Sequence, residues 1–152
     1  LTLYRERFSA MGLFENTLFP GITRMLGALN TAGLHAHVAT SKPHVFATRI
    51  VAHFSLLQYL GTVYGAELDG QRAEKTELIG HVLRARELDA RQTVMVGDRK
   101  HDVLGAKACG VAAIGVTYGY GTAEELRTAG ADRIVDAPDQ ILEAVTDLLG
   151  KS

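Results

Sequence analysis

Several absences narrow the reading of this chain before any motif is weighed. Of its 152 residues only one, Cys109, is cysteine, so no disulfide can form within the chain, and that usage fits a reducing cytoplasm. No apolar run approaches the roughly 18 residues that a membrane-spanning helix needs. Neither sign of charge dominates. Sixteen Lys and Arg against 17 Asp and Glu leave a formal net charge of -1, without the basic excess that nucleic acid or an anionic membrane would call for. No internal repeat, low-complexity tract or secretory signal is visible. The chain opens on Leu1 rather than Met, which raises the expectation of a segment before it. What remains is a length sufficient for one domain with a real core.

Hydrophobic periodicity divides that length into alternating elements. Leu1 to Met11 reads as a polar-faced helix. A second helix follows Pro20-Gly21, with Ile22, Met25, Leu26 and Leu29 on one face and Gly33 at its close. His35 to Ala39 is a short strand, and Thr40-Ser41-Lys42-Pro43 leads into a helix running to about Leu57, with Val45, Phe46, Ile50, Phe54 and Leu57 as its stripe. A short strand near Thr62 to Tyr64 precedes a polar loop through Asp69-Gly70. The helix beginning near Lys75 buries Leu78, Ile79, Val82 and Leu83. Thr93 to Val96 is β-branched and apolar, the composition of a strand covered on both faces. A helix over Val103 to Ala108, strands over Ala112 to Val116 and Arg133 to Val135, a helix over Ala123 to Thr128 and a last one from Pro138 complete the chain. Strands alternating with helices at this rhythm predict an α/β fold, a Rossmann-like parallel sheet with helices on both faces.

In such sheets ligands bind at the carboxyl ends of the strands, and three segments place reactive side chains there. Thr40 and Ser41 follow the first strand and precede a helix, an arrangement that can cradle phosphate through a hydroxyl and free N–H groups. On its own it is more often the pattern of an ordinary helix cap. Lys75 stands where a loop enters a helix, an unfavourable place for a cation beside the helix dipole. It either neutralises an anion or is a solvated surface lysine. Asp98 and Asp102 follow the strand that ends at Gly97, and read as a hard-cation site or as a turn residue and an N-cap. The six histidines lack metal-ligand spacing, although His35 and His37 share a strand face. Cys109, just before Gly110, reads as a small core residue rather than a nucleophile.

Taken together, Thr40-Ser41, Lys75 and Gly97-Asp98-x-x-x-Asp102 occur in the order of the last three motifs of the haloacid dehalogenase superfamily. The chain resembles the phosphoglycolate phosphatase branch most. The stretches that carry the resemblance are Leu13 to Gly21, Val38 to Pro43, Met95 to Ala106, Gly115 to Gly121 and Gly130 to Asp136. It implies a core domain over 17–152, preceded over 1–16 by the remnant of a helical cap and its linker. It further implies a cytoplasmic, Mg²⁺-dependent phosphatase acting on a small phosphorylated metabolite, with neither nucleic acid nor membrane as partner. Thr40 would hold a phosphoryl oxygen through its hydroxyl and Ser41 through its N–H. Lys75 would neutralise the nucleophile and the transferred group. Asp98 and Asp102 would form the metal side, with Asp102 supporting from the same loop.

One part of the pattern is missing. The family's first motif, Asp-x-Asp-Gly-Thr after a strand, supplies the nucleophile, and no Asp-x-Asp occurs in these 152 residues. That strand lies mid-sheet in the family, between the strand ending at Ala39 and the one ending at Val96. Without it two strand edges should stand unpaired, unless a shortened sheet closes over the gap. The expectation is a phosphatase whose nucleophile lies outside this sequence, the chain alone being inactive. The alternative is a non-catalytic phosphate- and Mg²⁺-binding or regulatory domain of the same fold. A receiver-like variant of it lacks the early acid pair that it needs.

Overall fold

The computed structural model describes residues 21–53, 57–66, 74–119 and 121–150. The expected helix over Leu1 to Met11, the cap remnant and the Asp69-Gly70 loop lie outside them. In chain order the elements are α1 (Ile22–Thr31), β1 (Ala36–Pro43), α2 (His44–His53), β2 (Leu60–Ala66), α3 (Lys75–Ala85), β3 (Val94–Gly97), α4 (Lys100–Ala108), β4 (Ala112–Val116), α5 (Ala123–Ala129), β5 (Arg133–Val135) and α6 (Ile141–Leu148). All strand pairings are parallel, as the alternation of elements predicts.

Alternation along β3 shows how the layers form. Val94 and Val96 join Ile22, Leu26, Ile141 and Val145 in one core, whereas Met95 joins Ile79, Val103 and Leu126 in another. A strand's side chains point to opposite faces in turn, so α1 and α6 cover one face of the β3 ladder while α3, α4 and α5 cover the other. All four residues of β3 are buried, which explains its unbroken apolar composition.

The parallel sheet is in two pieces. β1 pairs with β2, and β3 pairs with β4, which pairs with β5. Among the described residues β1 and β3 do not pair, so the strands do not close the expected gap. Between them on the α1 and α6 side lies a cavity of about 220 Å³ walled by Leu34, Ala36, Thr93, Val94, Val145 and Leu149. A smaller hollow on the α3 side is lined by His37, Ala39, Ile79, Val82 and Met95.

Four boundaries differ from the sequence reading. β1 does not turn at Thr40 but runs through Ser41 and Lys42 to Pro43, which partners Ala66 across an irregularity in the ladder. Proline disfavours helix at the residue before it, so the helix waits until His44. In α2 the buried positions include Ala47 and Val51, while Val45, a member of the expected stripe, is 48% exposed. α4 begins at Lys100 rather than Val103, because Asp102 organises the turn before it. Pro138 sits in a short 3₁₀ turn over Pro138–Gln140, and α6 starts only at Ile141.

Candidate active site

The carboxyl end of β3 is built around one acid that holds the backbone of another. Asp102 is the third residue of α4, and its Oδ2 accepts from the N–H groups of Asp98 (3.1 Å) and Arg99 (3.2 Å). Those amides lie just before the helix, where no intrahelical acceptor exists. A carboxylate reaching back from the first turn meets them and suits the helix dipole. So Asp102 is not the N-cap residue itself. It works from inside the helix and fixes the loop that carries Asp98. Both acids are buried, at 1% and 5% exposure.

Lys75 supplies the countercharge. It opens α3, where the Glu74 carboxylate accepts from the amides of Thr76 (3.1 Å) and Glu77 (2.9 Å) as the helix cap. Its side chain is not solvated, since the residue is only 4% exposed. The ammonium sits 2.8 Å from Asp102 Oδ1 and donates to the Ala39 carbonyl at 3.2 Å. The stem reaches them across a close helix contact. A Cβ placed on Gly105 of α4 would lie 2.7 Å from Lys75 Cγ, so glycine at that position lets the two helices approach. The surface-lysine reading is overturned for Lys75, because burial of an ammonium demands partners, and it has them.

Through its bond to Ala39, Lys75 also ties this cluster to β1. Thr40 is the next residue and is 1% exposed. Ser41 follows within the strand. The helix start expected directly after Thr40-Ser41 is displaced to His44, so Thr40 and Ser41 present strand backbone rather than the first amides of a helix. The structure thus joins Lys75, Asp98 and Asp102 through an ion pair and a backbone hydrogen bond and sets that unit against the residue preceding Thr40.

The remaining candidates fall away from it. His35 is exposed and His37 buried, and among the described residues no three His, Cys, Asp or Glu side chains gather as a metal cluster. Cys109 donates to the Thr76 carbonyl at 3.4 Å, and burial raises its thiol pKa above the ordinary value, opposite to what a nucleophile needs. The donor set nonetheless fits Mg²⁺, which takes one or two protein carboxylates and leaves its other positions to phosphate and water. Asp98 is a buried oxygen donor on a braced loop, and its carboxylate lies so close to Gly119 that a Cβ there would overlap it.

Sequence reasoning missed Glu125. Its Oε2 accepts from Arg99 Nε at 3.0 Å and from the Lys100 amide at 2.9 Å, and these bonds hold its carboxyl below the ordinary glutamate range. In the sequence, Glu124-Glu125 reads only as acidic residues in a first helical turn, and nothing marks the second as reaching another element.

Comparison with known proteins bears on the family and the fold. Residues 3–116 match the family model for haloacid dehalogenase-like hydrolases. A 5'-nucleotidase of Pseudomonas aeruginosa is 52% identical over 124 residues, covering 82% of this chain and 56% of that protein. The tyrosine-protein kinase PtkA of Mycobacterium tuberculosis is 38% identical over 147 residues, covering 95% and 50%. A phosphoglycolate phosphatase of Vibrio parahaemolyticus is 27% identical over 143 residues, covering 94% and 63%. The crystal structure of a predicted phosphatase from Clostridium acetobutylicum superposes with a TM-score of 0.87 at 39% identity, over 92% of this chain and 65% of that one. The chain thus spans between half and two thirds of the length of these relatives. The chain belongs to the haloacid dehalogenase-like hydrolase family.

Proposed function

We propose that this chain is the greater part of a Mg²⁺-dependent phosphatase that hydrolyses a small phosphomonoester. The observation that carries the reading is Lys75. An ammonium that is 4% exposed, held between Asp102 and the Ala39 carbonyl of β1, places fixed positive charge between β1 and the loop that follows β3. Phosphoryl transfer asks mainly for positioning and charge neutralisation. In this reading Lys75 steadies the transferred group and the nucleophile. Thr40 and Ser41 hold phosphoryl oxygens, Asp98 is the metal ligand, and Asp102 supports it from the same loop. When bound, Mg²⁺ supplies Lewis-acid neutralisation of the phosphoryl oxygens.

The nucleophile is an aspartate outside this sequence, carried by a strand that enters the slot between β1 and β3. Its carboxylate oxygen forms the bond to phosphorus as the P–O ester bond breaks, the leaving oxygen taking a proton from the second acid of the same Asp-x-Asp segment, and water then cleaves the aspartyl-phosphate to release phosphate. The chain without that segment is inactive. Phosphoglycolate and nucleoside monophosphates are the first substrates to try, the latter because a relative is named a 5'-nucleotidase. The setting is cytoplasmic, with no nucleic-acid or membrane partner.

The test is a panel of small phosphomonoesters assayed with the protein that joins this chain to an Asp-x-Asp segment. Mg²⁺-dependent release of phosphate is expected, and Asp98→Asn should lower kcat/KM by about a hundredfold or more, the scale of losing a metal-binding or charge-stabilising group. Absence of any Mg²⁺-dependent turnover with Asp98 intact would sink the reading and favour the non-catalytic alternative.

A further inference from the structure

We infer that Glu125 is a positioning residue for the metal side of the site. It fixes the direction of Asp98 from a neighbouring helix without touching the cation. The inference rests on the phosphatase reading above and adds a residue that the motif pattern does not contain.

The need arises at the start of α4. Its N-cap residue is Arg99, whose side chain has no oxygen with which to accept from the exposed amides that follow. Asp102 meets the amides of Asp98 and Arg99, but not that of Lys100. Glu125 Oε2 takes the Lys100 amide at 2.9 Å and the Arg99 guanidinium at 3.0 Å. It therefore caps a helix to which it does not belong. Glu125 is itself anchored, because its amide donates to Thr122 Oγ1 at 3.0 Å at the head of α5.

The segment leading to Glu125 grips Asp98 directly. The Gly121 amide donates to the Asp98 carbonyl at 2.9 Å. A Cβ at Gly121 would overlap that carbonyl and come within 2.9 Å of Glu125 Oε2. The loop bearing Asp98 is thus clamped by one carboxylate within its own helix and by a second from α5. The two clamps are separable. Asp102 also neutralises Lys75, so altering it disturbs the whole cluster, whereas Glu125 makes no bond to Lys75 that would confuse the result.

The experiment measures Mg²⁺ and inorganic phosphate binding by calorimetry on the intact protein and on Glu125→Ala and Glu125→Gln. Outer-shell partners of metal ligands typically affect affinity by 10–100-fold, so Glu125→Ala should weaken Mg²⁺ about tenfold while leaving phosphate affinity unchanged. Glu125→Gln keeps an oxygen that can accept from Lys100 and Arg99, and should restore most of the Mg²⁺ affinity. Equal loss in both variants would mean long-range charge attraction rather than positioning, and would overturn the inference. So would proportional loss of Mg²⁺ and phosphate affinity together with a large fall in melting temperature, which marks general damage. If the wild type binds Mg²⁺ and Glu125→Ala binds it equally well, this inference alone fails. If the wild type binds none, the phosphatase reading fails with it.

Discussion

Replacing Lys75 with methionine tests the centre of the site through stability rather than turnover. The substitution keeps most of the stem's volume against Gly105 and removes the ammonium. It leaves Asp102 buried at 1% exposure with the partner at 2.8 Å gone. Breaking a buried pair by removing one member costs about 3–5 kcal/mol, because the surviving charge is stranded. Asp102 Oδ2 keeps two amide donors, which places the expected loss near the lower end, about 3 kcal/mol. For a chain of this size that lowers the melting temperature by about 6–12 °C. Thermal and urea unfolding measure it. The cycle is completed by Asp102→Asn and by the double variant. Removing the second charge should return part of the loss, giving a coupling energy of about 1.5–3 kcal/mol. A single Lys75→Met variant melting within about 1 °C of wild type, or additivity around the cycle, would refute the buried pair.

The sequence made the strands and the order of the site residues legible for the same reason. Buried parallel strands must be apolar throughout, so Thr93 to Val96 announces itself, and the loop at the end of such a strand is where Asp98 falls. It left two things obscure. One is whether a polar side chain points inward. Lys75 at a helix start has the same local signature whether solvated or buried, and only Gly105, thirty residues away, creates the room for it. The other is the exchange of caps between elements. Asp102 looked like an N-cap by position, yet it serves from the third residue of α4, and Glu125 caps the same helix from α5. Neither choice follows from local propensity, since both depend on how α4 and α5 approach each other. The β1 boundary failed for a third reason. Thr-Ser-Lys-Pro has the composition of a helix entry, but pairing of Pro43 with Ala66 keeps the chain extended.

Two further outcomes bear on the packing that shapes the site. Gly105→Ala should gain up to about 1 kcal/mol of helix propensity and lose more to overlap. The new Cβ meets Lys75 Cγ at 2.7 Å and the Lys75 backbone carbon at 3.1 Å, so net destabilisation of about 1–2 kcal/mol by urea titration is expected. A variant more stable than wild type would show that α3 and α4 can separate freely. The second outcome concerns His37, which is 4% exposed and whose Nδ1 lacks a hydrogen-bond partner among the described residues. Burial, with a smaller contribution from the Arg86 charge, lowers its pKa from 6.5 to about 4. Above pH 6.5 it is neutral in folded and unfolded chains alike and adds no pH dependence. As pH falls from 6.5 towards 4 the unfolded chain binds a proton that the folded chain refuses, so stability declines. The linkage amounts to about 2 kcal/mol by pH 5 and about 3 kcal/mol by pH 4. His37→Phe fits the same apolar surroundings and removes the titration. Its unfolding free energy should therefore fall by about 2 kcal/mol less than that of the wild type between pH 7 and pH 5. Parallel pH profiles for the two proteins would mean that His37 accepts its proton without leaving the fold, and that the hollow beside β1 is open to water.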